Sequence, residues 1–562
     1  VRNAMILIFM GLFSCTLFAS PVANNINDTR VEIVASNSGN IRLAFDLTDV
    51  EITNIDQEGE TGASHMLVGE GGTLEFGRPQ LPAVTRLVVI PPNAGLELII
   101  HTSEPRIVTA NHPPALYLDE ELTIEGQQMD NFTGVYPVQL AEMDDPIVIR
   151  GVRLVRVTTY PVHYDYDNNT YLYYDNIEAE LIYTDAEPIN PATHPVRKNR
   201  SQYFLRFIRG LAINGDQVGR DDPQAEASPH LAHYLIITHE RNLDFESFGN
   251  FIEWRRRAGY KVDVISLSGN DAGRPNVVKE HIQDLYDSYL ERGEDPFDLL
   301  MLSGDNLNYE GAGTASQSVL GAPLGNLIWG GNQHYDWFYG LLEGDDLFAD
   351  VGLARWAAGG REMNDLFWGR TKAYEVEPYM EDTSWFTKGG VYAQRWGGNY
   401  HKSLATNVRW GKSVLESKGF DDIRLIESMT GANVNEIGAF LVEQFNEGVN
   451  MLLGRAENYF FRNGFGTQGV DRNQDNGIFP IDLNIAGHHE WSFWWMMRDQ
   501  GANANNLRGP VAATTGWGGQ VTLAYNICWV EEVNGFVQRD LPFGWAYVQA
   551  LTAPELYIPN WR

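Results

Sequence analysis

A change of hydrophobic period near residue 234 sets most of what this chain can fold into. Between 31 and 184 apolar and polar residues alternate in short runs broken by turn residues, as in Ile41-Arg-Leu-Ala-Phe-Asp-Leu and Ile177-Glu-Ala-Glu-Leu-Ile-Tyr. Period-two alternation turns one face of each strand to a core, and many short strands without helices between them imply an antiparallel β-sandwich. From Tyr234 the strands become nearly continuous in apolar residues: Tyr234-Leu-Ile-Ile-Thr, Lys261-Val-Asp-Val-Ile and Asp298-Leu-Leu-Met-Leu-Ser. Amphipathic stretches at 245–258 and 276–291 separate them. That alternation implies parallel strands covered by helices on both faces. It resumes with Gly389-Gly-Val-Tyr-Ala, 400–418, Ile423-Arg-Leu-Ile-Glu and 433–446, so two α/β halves meet near Trp385. The expected units are 21–184 (sandwich), 185–230 (linker), 231–385 and 386–562 (the two halves). Pro, Asn, Asp and Gln mark the linker as exposed, with the apolar run Tyr203-Phe-Leu-Arg-Phe-Ile docking somewhere on the fold.

At 562 residues the chain exceeds a single core. With 74 acidic against 41 basic residues its net charge is −33, which argues against nucleic acid and anionic membrane as partners. Residues 1–20 combine Arg2, an apolar stretch and the small residues Ala19 and Ser20, the pattern of a secretory signal peptide. A secreted or cell-envelope location is therefore expected. No other stretch has the length and apolarity of a transmembrane helix. Without the signal, Cys528 is the only cysteine, so no internal disulfide forms. A lone cysteine is more often a small buried hydrophobe than a nucleophile.

Two further apolar runs end on small residues: Met451-Leu-Leu-Gly-Arg455 and Val511-Ala-Ala513-Thr514-Thr515-Gly516-Trp517. In open α/β sheets such strand ends carry the ligand or catalytic site. Both phrases resemble the catalytic strands of the gingipain family of secreted cysteine peptidases, where the first ends in Gly-His-Gly and the second in a cysteine. Upstream, Gly77-Arg-Pro-Gln-Leu-Pro82, Tyr136-Pro137, Arg150-Gly-Val-Arg153 and Tyr160-Pro-Val-His-Tyr164 resemble that family's prodomain. Phe297-Asp-Leu-Leu-Met-Leu-Ser-Gly-Asp305 and the acidic stretch 334–355 resemble its catalytic domain. The resemblance implies an N-terminal β-sandwich prodomain followed by a caspase-like domain of two sheet-containing halves. It also implies that the sandwich assists folding and restrains the enzyme until it is cut away.

In this frame Arg455 stands at the histidine position and Ala513 at the cysteine position. Arginine cannot act as a base, because its pKa stays above about 12. A degenerate peptidase that binds peptide or protein segments is the leading expectation, with Arg455, Ala513, Thr514, Thr515, Gly516 and Trp517 lining the groove. An active cysteine endopeptidase with a rebuilt site is the first alternative: Ile478-Phe-Pro-Ile-Asp-Leu-Asn-Ile-Ala-Gly487 leads to His488, His489 and Glu490, which would act with Cys528. A structural or adhesion module of the cell envelope is the second. Calcium is the one expected cofactor. Asp471, Asn473 and Asp475, with Asp482 at the twelfth place, follow the oxygen-rich pattern of a calcium loop. Asp345, Asp346 and Asp350 form a weaker second set, on an acidic loop that resembles one in the calcium-binding family.

Overall fold

The computed structural model describes residues 30–557 except 58, 68–69, 76, 118–131, 196, 199, 220–227, 306–319, 322–323, 328–330, 395–399, 428–433, 457–475, 485–506 and 515–521. Among the described residues every element from Val31 to Thr184 is a strand. A four-stranded antiparallel sheet runs Val31–Ser36, Asn40–Asp46, Asn176–Thr184, Gly95–Thr102. A second is built around Val152–Thr159 and Pro82–Val89, and a third, rich in tyrosine, around Thr170–Tyr173 and Val162–Asp165. Alternation explains the layering. Val84, Val88, Val155 and Val157 pack against Leu43, Phe45, Ile177 and Leu181 of the first sheet. The intervening Leu87, Val152 and Leu154 face the opposite way, into a core shared with the rest of the chain. Strand Val152–Thr159 is therefore buried on both faces. A largely exposed hairpin, Glu51–Gln57 with Glu60–Met66, was not expected from the sequence.

The first α/β unit is a four-stranded parallel sheet in the order Lys261–Leu267, His233–His239, Leu299–Ser303, Gly352–Trp356. Helices Glu246–Arg257 and Arg361–Thr371 cover one face through Phe248, Phe251, Ile252, Leu366 and Phe367. The other face takes helix Pro275–Glu291, whose Pro275 opens the first turn, and two helices from distant parts of the chain. One is the C-terminal helix Phe543–Tyr557. The other is Gln202–Leu211, which the sequence placed in an exposed linker. Ser201 caps it by accepting from the amides of Tyr203 and Phe204, and its fully buried Phe204, Phe207 and Ile208 enter the core. The Phe207 and Trp545 rings lie 4.7 Å apart. The linker composition is real, but the apolar stripe of this helix outweighs it.

After Trp385 a second parallel sheet forms, in the order Asp422–Ile426, Lys388–Ala393, Met451–Arg455, Ile481–Asn484, Ala512–Thr514. Helices Tyr400–Ser417 and Thr522–Val533 pack on one face with Val391, Leu453, Leu483, Cys528 and Trp529. Helix Val434–Glu447 packs on the other with Tyr392, Leu452 and Ala513. Among the described residues no helix is long and apolar enough to cross a membrane.

Candidate functional site

The carboxyl end of the second sheet gathers most of the described site residues. Strand order there keeps Arg455 and Ala513 off neighbouring strands. Ile481–Asn484 lies between them, pairing Met451 to Ile481 on one side and Ile481 to Ala512 on the other. The register adds a longitudinal offset, because Ala513 pairs with Asp482 and Asp482 with Leu452, three residues before Arg455. Two strand spacings and three residues of rise separate the two positions by roughly 14 Å. They also face opposite ways, Ala513 toward helix Val434–Glu447 and Arg455 toward helix Thr522–Val533. Arg455 and Ala513 are thus not the two halves of a contact pair. Sequence shows that each run is an apolar strand; it does not show how many strands stand between them.

Arg455 is 1% exposed, and its Nη2 donates to Asn526 Oδ1 at 2.8 Å. The glycine before it has a packing reason: a Cβ on Gly454 would lie 2.2 Å from Tyr392 Cζ. The Tyr392 hydroxyl, given room by Gly454, donates to Asp482 Oδ1 at 2.9 Å. Asn484 ties the ends of strands Met451–Arg455 and Ile481–Asn484 together. Its side chain accepts from Ala456 N at 3.2 Å and donates to Ala456 O at 3.1 Å, continuing the ladder one step past the backbone pairing. Thr514 Oγ1 donates to Glu532 Oε2 at 3.1 Å, and Trp529 Nε1 to Leu483 O.

Burial sets the electrostatics. It pushes the Asp482 carboxyl up to about 7, against the pull of the Tyr392 hydrogen bond. It pushes Glu532 up to about 8, with the Thr514 hydrogen bond opposing and the Asp482 charge adding. The Cys528 thiol is raised to about 12, chiefly by burial, although the Arg455 guanidinium draws it down. Cys528 is 6% exposed within an apolar cluster. A thiol in that setting is a packing group rather than a nucleophile.

Ala513 and Thr514 are buried, as is Arg455. Thr515, Gly516 and Trp517 lie outside the described residues, as do His488, His489, Glu490, Asp471, Asn473 and Asp475. Asp482, the remaining member of that calcium set, is a strand residue engaged with Tyr392. In the acidic loop, Asp346 Oδ2 accepts from Val148 N and Asn190 Nδ2, and Asp346 Oδ1 from Phe348 N. Asp350 accepts from the amides of Arg150, Leu342 and Glu343, while Asp345 is joined through its own amide to Asn190. The Asp346 and Asp350 carboxylates thus serve N–H donors. Among the described residues no group of three His, Cys, Asp or Glu side chains is arranged to hold a metal ion.

Sequence reading did not single out Asn484, Asn526 or Glu532. A signal for Glu532 exists: it follows Cys528 by four residues, so one helix face carries both, and that face is buried.

A family model described as Peptidase family C25 matches residues 227–474. Lys-gingipain W83 of Porphyromonas gingivalis is 21% identical over 434 residues, 71% of this chain and 24% of its own length. Gingipain R2 of the same species is 20% identical over 507 residues, 86% of this chain and 63% of its own. This chain therefore spans about a quarter of the length of the Lys-gingipain it matches. Among solved structures, the Arg specific cysteine proteinase gingipain R aligns at 16% identity over 59% of this chain and 74% of that one, with a TM-score of 0.46.

Proposed function

We propose, from the premise that the chain belongs to the gingipain-like cysteine peptidase family, that it is a catalytically degenerate member acting by binding peptide or protein segments. The observation that carries this reading is the state of Cys528: an apolar, 6% exposed helix residue whose thiol is pushed far above the range of a nucleophile. Arg455, which supplies neither nucleophile nor base, supports it. The same reading makes the N-terminal β unit a sandwich, the two α/β units caspase-like halves, and the protein secreted or held in the cell envelope.

Purified chain incubated with Arg- and Lys-containing fluorogenic peptides under reducing conditions is expected to show no thiol-dependent turnover. Iodoacetamide should label Cys528 at least about tenfold more slowly than a free thiol at pH 8, because burial removes both thiolate and access. Rapid labelling of Cys528 with loss of a peptidase activity, and the same loss in His488→Ala, would replace this reading with the rebuilt His488/Cys528 site. The roughly 14 Å offset above gives a second expectation: the double variant Arg455→His with Ala513→Cys also stays inactive.

Calcium at the loop holding Asp471, Asn473 and Asp475 belongs to the same proposal. These residues supply hard oxygen donors at alternating positions. A chelator is expected to lower the thermal midpoint of the wild-type chain and to leave Asp475→Ala unmoved. Equal midpoints with and without chelator in wild type would remove calcium from the account.

A further inference from the structure

We infer that strand Glu51–Gln57 pairs with the same strand of a second copy of this chain, antiparallel and centred on Asn54. This strand is the outer one of the hairpin completed by Glu60–Met66, and among the described residues no strand lies beyond it. Six of its seven residues are exposed, Ile52 at 55% and Ile55 at 37% among them, so its outer row of N–H and C=O groups faces water. The inner strand is held firmly. Ala63 N donates to Pro113 O at 2.7 Å, and Ala115 N to Ala63 O at 2.8 Å. Gly62 permits that approach, since a Cβ there would meet the Ala115 backbone at 3.0 Å. The Gln57 side chain exchanges two 2.8 Å hydrogen bonds with the Leu116 backbone, and His65 Nε2 lies 2.8 Å from the Tyr173 hydroxyl. The open edge is therefore presented on a fixed frame, and pairing to it requires little further ordering.

An exposed edge is a template for another strand, and proteins usually blunt it with a lysine, a proline, a bulge or a short length. Two other edges of the β unit follow that rule. Val31–Ser36 bulges between Ile33 and Ala35, and Arg106–Thr109 is four residues long and opens on an arginine. Residues 51–57 contain no Lys, Arg or Pro, and the pairing runs unbroken from Glu51 with Met66 to Gln57 with Glu60.

Symmetry sets what fits this edge. Antiparallel pairs alternate between two kinds, so a two-fold axis can pass only where one residue stands opposite itself. With Asn54 on the axis all seven residues pair: Glu51 opposite the partner's Gln57, Ile52 opposite the partner's Asp56, and Thr53 opposite the partner's Ile55. No like charges meet. Directly opposite residues share a face, so two Thr53–Ile55 pairs flank the axis as a β-branched cluster, a favourable kind of cross-strand contact. Centres at Thr53 or Ile55 pair only five of the seven residues and set Ile55 opposite Glu51 or Asn54 opposite Asp56. The strand thus complements itself in charge and shape in one register, which favours a second copy over a foreign strand. The net charge of −33 opposes association at long range, and salt relieves it.

Sedimentation velocity of the full chain, in about 0.15 M NaCl and from about 1 µM to about 200 µM protein, reads the contact. Wild type is expected to move from the mass of one chain toward that of two. Asn54→Lys sets two ammonium groups against each other on the axis and should raise the dissociation constant at least about tenfold. Val34→Lys makes the same charge change at an exposed position of strand Val31–Ser36 and should leave the constant unchanged. Mild oxidation with oxidised glutathione then tests the register. Asn54→Cys places two thiols directly opposite, where Cα atoms about 4.5–5.5 Å apart suit a disulfide. It should yield a covalent dimer at least about ten times faster than Thr53→Cys, whose thiols are offset along the strands. A single-chain mass at every concentration would overturn the inference. So would an undiminished dimer in Asn54→Lys, loss of the dimer in Val34→Lys, or equal cross-linking of the two cysteine variants.

Discussion

Replacing Arg150 with alanine is expected to destabilise the intact chain by about 3–5 kcal/mol, the range for breaking a buried ion pair from one side. The side chain is fully enclosed and serves Asp295 together with the carbonyls of Phe297 and Pro296. Alanine leaves all of these without that donor, so the cost is the desolvation of several groups rather than the loss of one bond. Lysine at 150 should recover only part of the loss, because a single ammonium cannot reproduce the planar fork that reaches several acceptors. Arg424→Ala is the matched control. Its partners Glu443 and Glu447 are about as exposed as the 41% exposed arginine itself, and such pairs contribute at most about 1 kcal/mol. Denaturant unfolding of the three variants at one pH decides the matter. A loss below about 1 kcal/mol for Arg150→Ala would show that water or rearrangement replaces its contacts.

The same residue marks where sequence reading stops. The phrase Arg150-Gly-Val-Arg153 was legible as part of a β unit, and strands flank it. Its role was not, because Asp295 and Asp350 stand 145 and 200 residues further on and no local pattern links them. Helix Gln202–Leu211 was half legible: its apolar run was visible, but its partner Trp545 belongs to the far end of the chain. The change of period near Tyr234 predicted the parallel strands well, since continuous apolar strands follow from burial on both faces. In the second sheet, the run leading into Ile481–Asn484 was read for the histidines that follow it. Its place as the strand between Met451–Arg455 and Ala512–Thr514 depends on topology that period cannot supply. The burial of Cys528 follows the usual lot of a lone cysteine, and the structure sets it beside Trp529 and Val530 in an apolar helix.

The buried carboxyls of the second α/β unit also make stability depend on pH in a defined direction. Asp482 and Glu532 both have folded-state pKa values raised by burial, to about 7 and about 8, above ordinary values of 3.8 and 4.5. A raised carboxyl favours its protonated form in the fold. Its stabilising contribution is complete below the ordinary value and is lost as pH rises through the folded one. His65 and His163, lowered to about 4 by burial, act in the opposite sense, but their contribution is complete above about 6.5. The informative window therefore runs from about pH 6.5 to 8.5. Across it the two carboxyls together should remove on the order of 3 kcal/mol, because the fold holds protons that the unfolded chain has already released, and the loss ends once the folded carboxyls ionise as well. Lys279, lowered to about 8 by burial, moves oppositely in the same window and dilutes the total slope. The difference between wild type and the double variant Asp482→Asn with Glu532→Gln isolates the pair, because all other groups are common to both. Wild type is expected to lose stability relative to the double variant as pH rises, most steeply at the lower end of that window and levelling off above the folded value of about 8. Parallel curves would mean that both carboxyls reach water and ionise normally. That outcome would open the strand ends around Tyr392 and Thr514 to solvent.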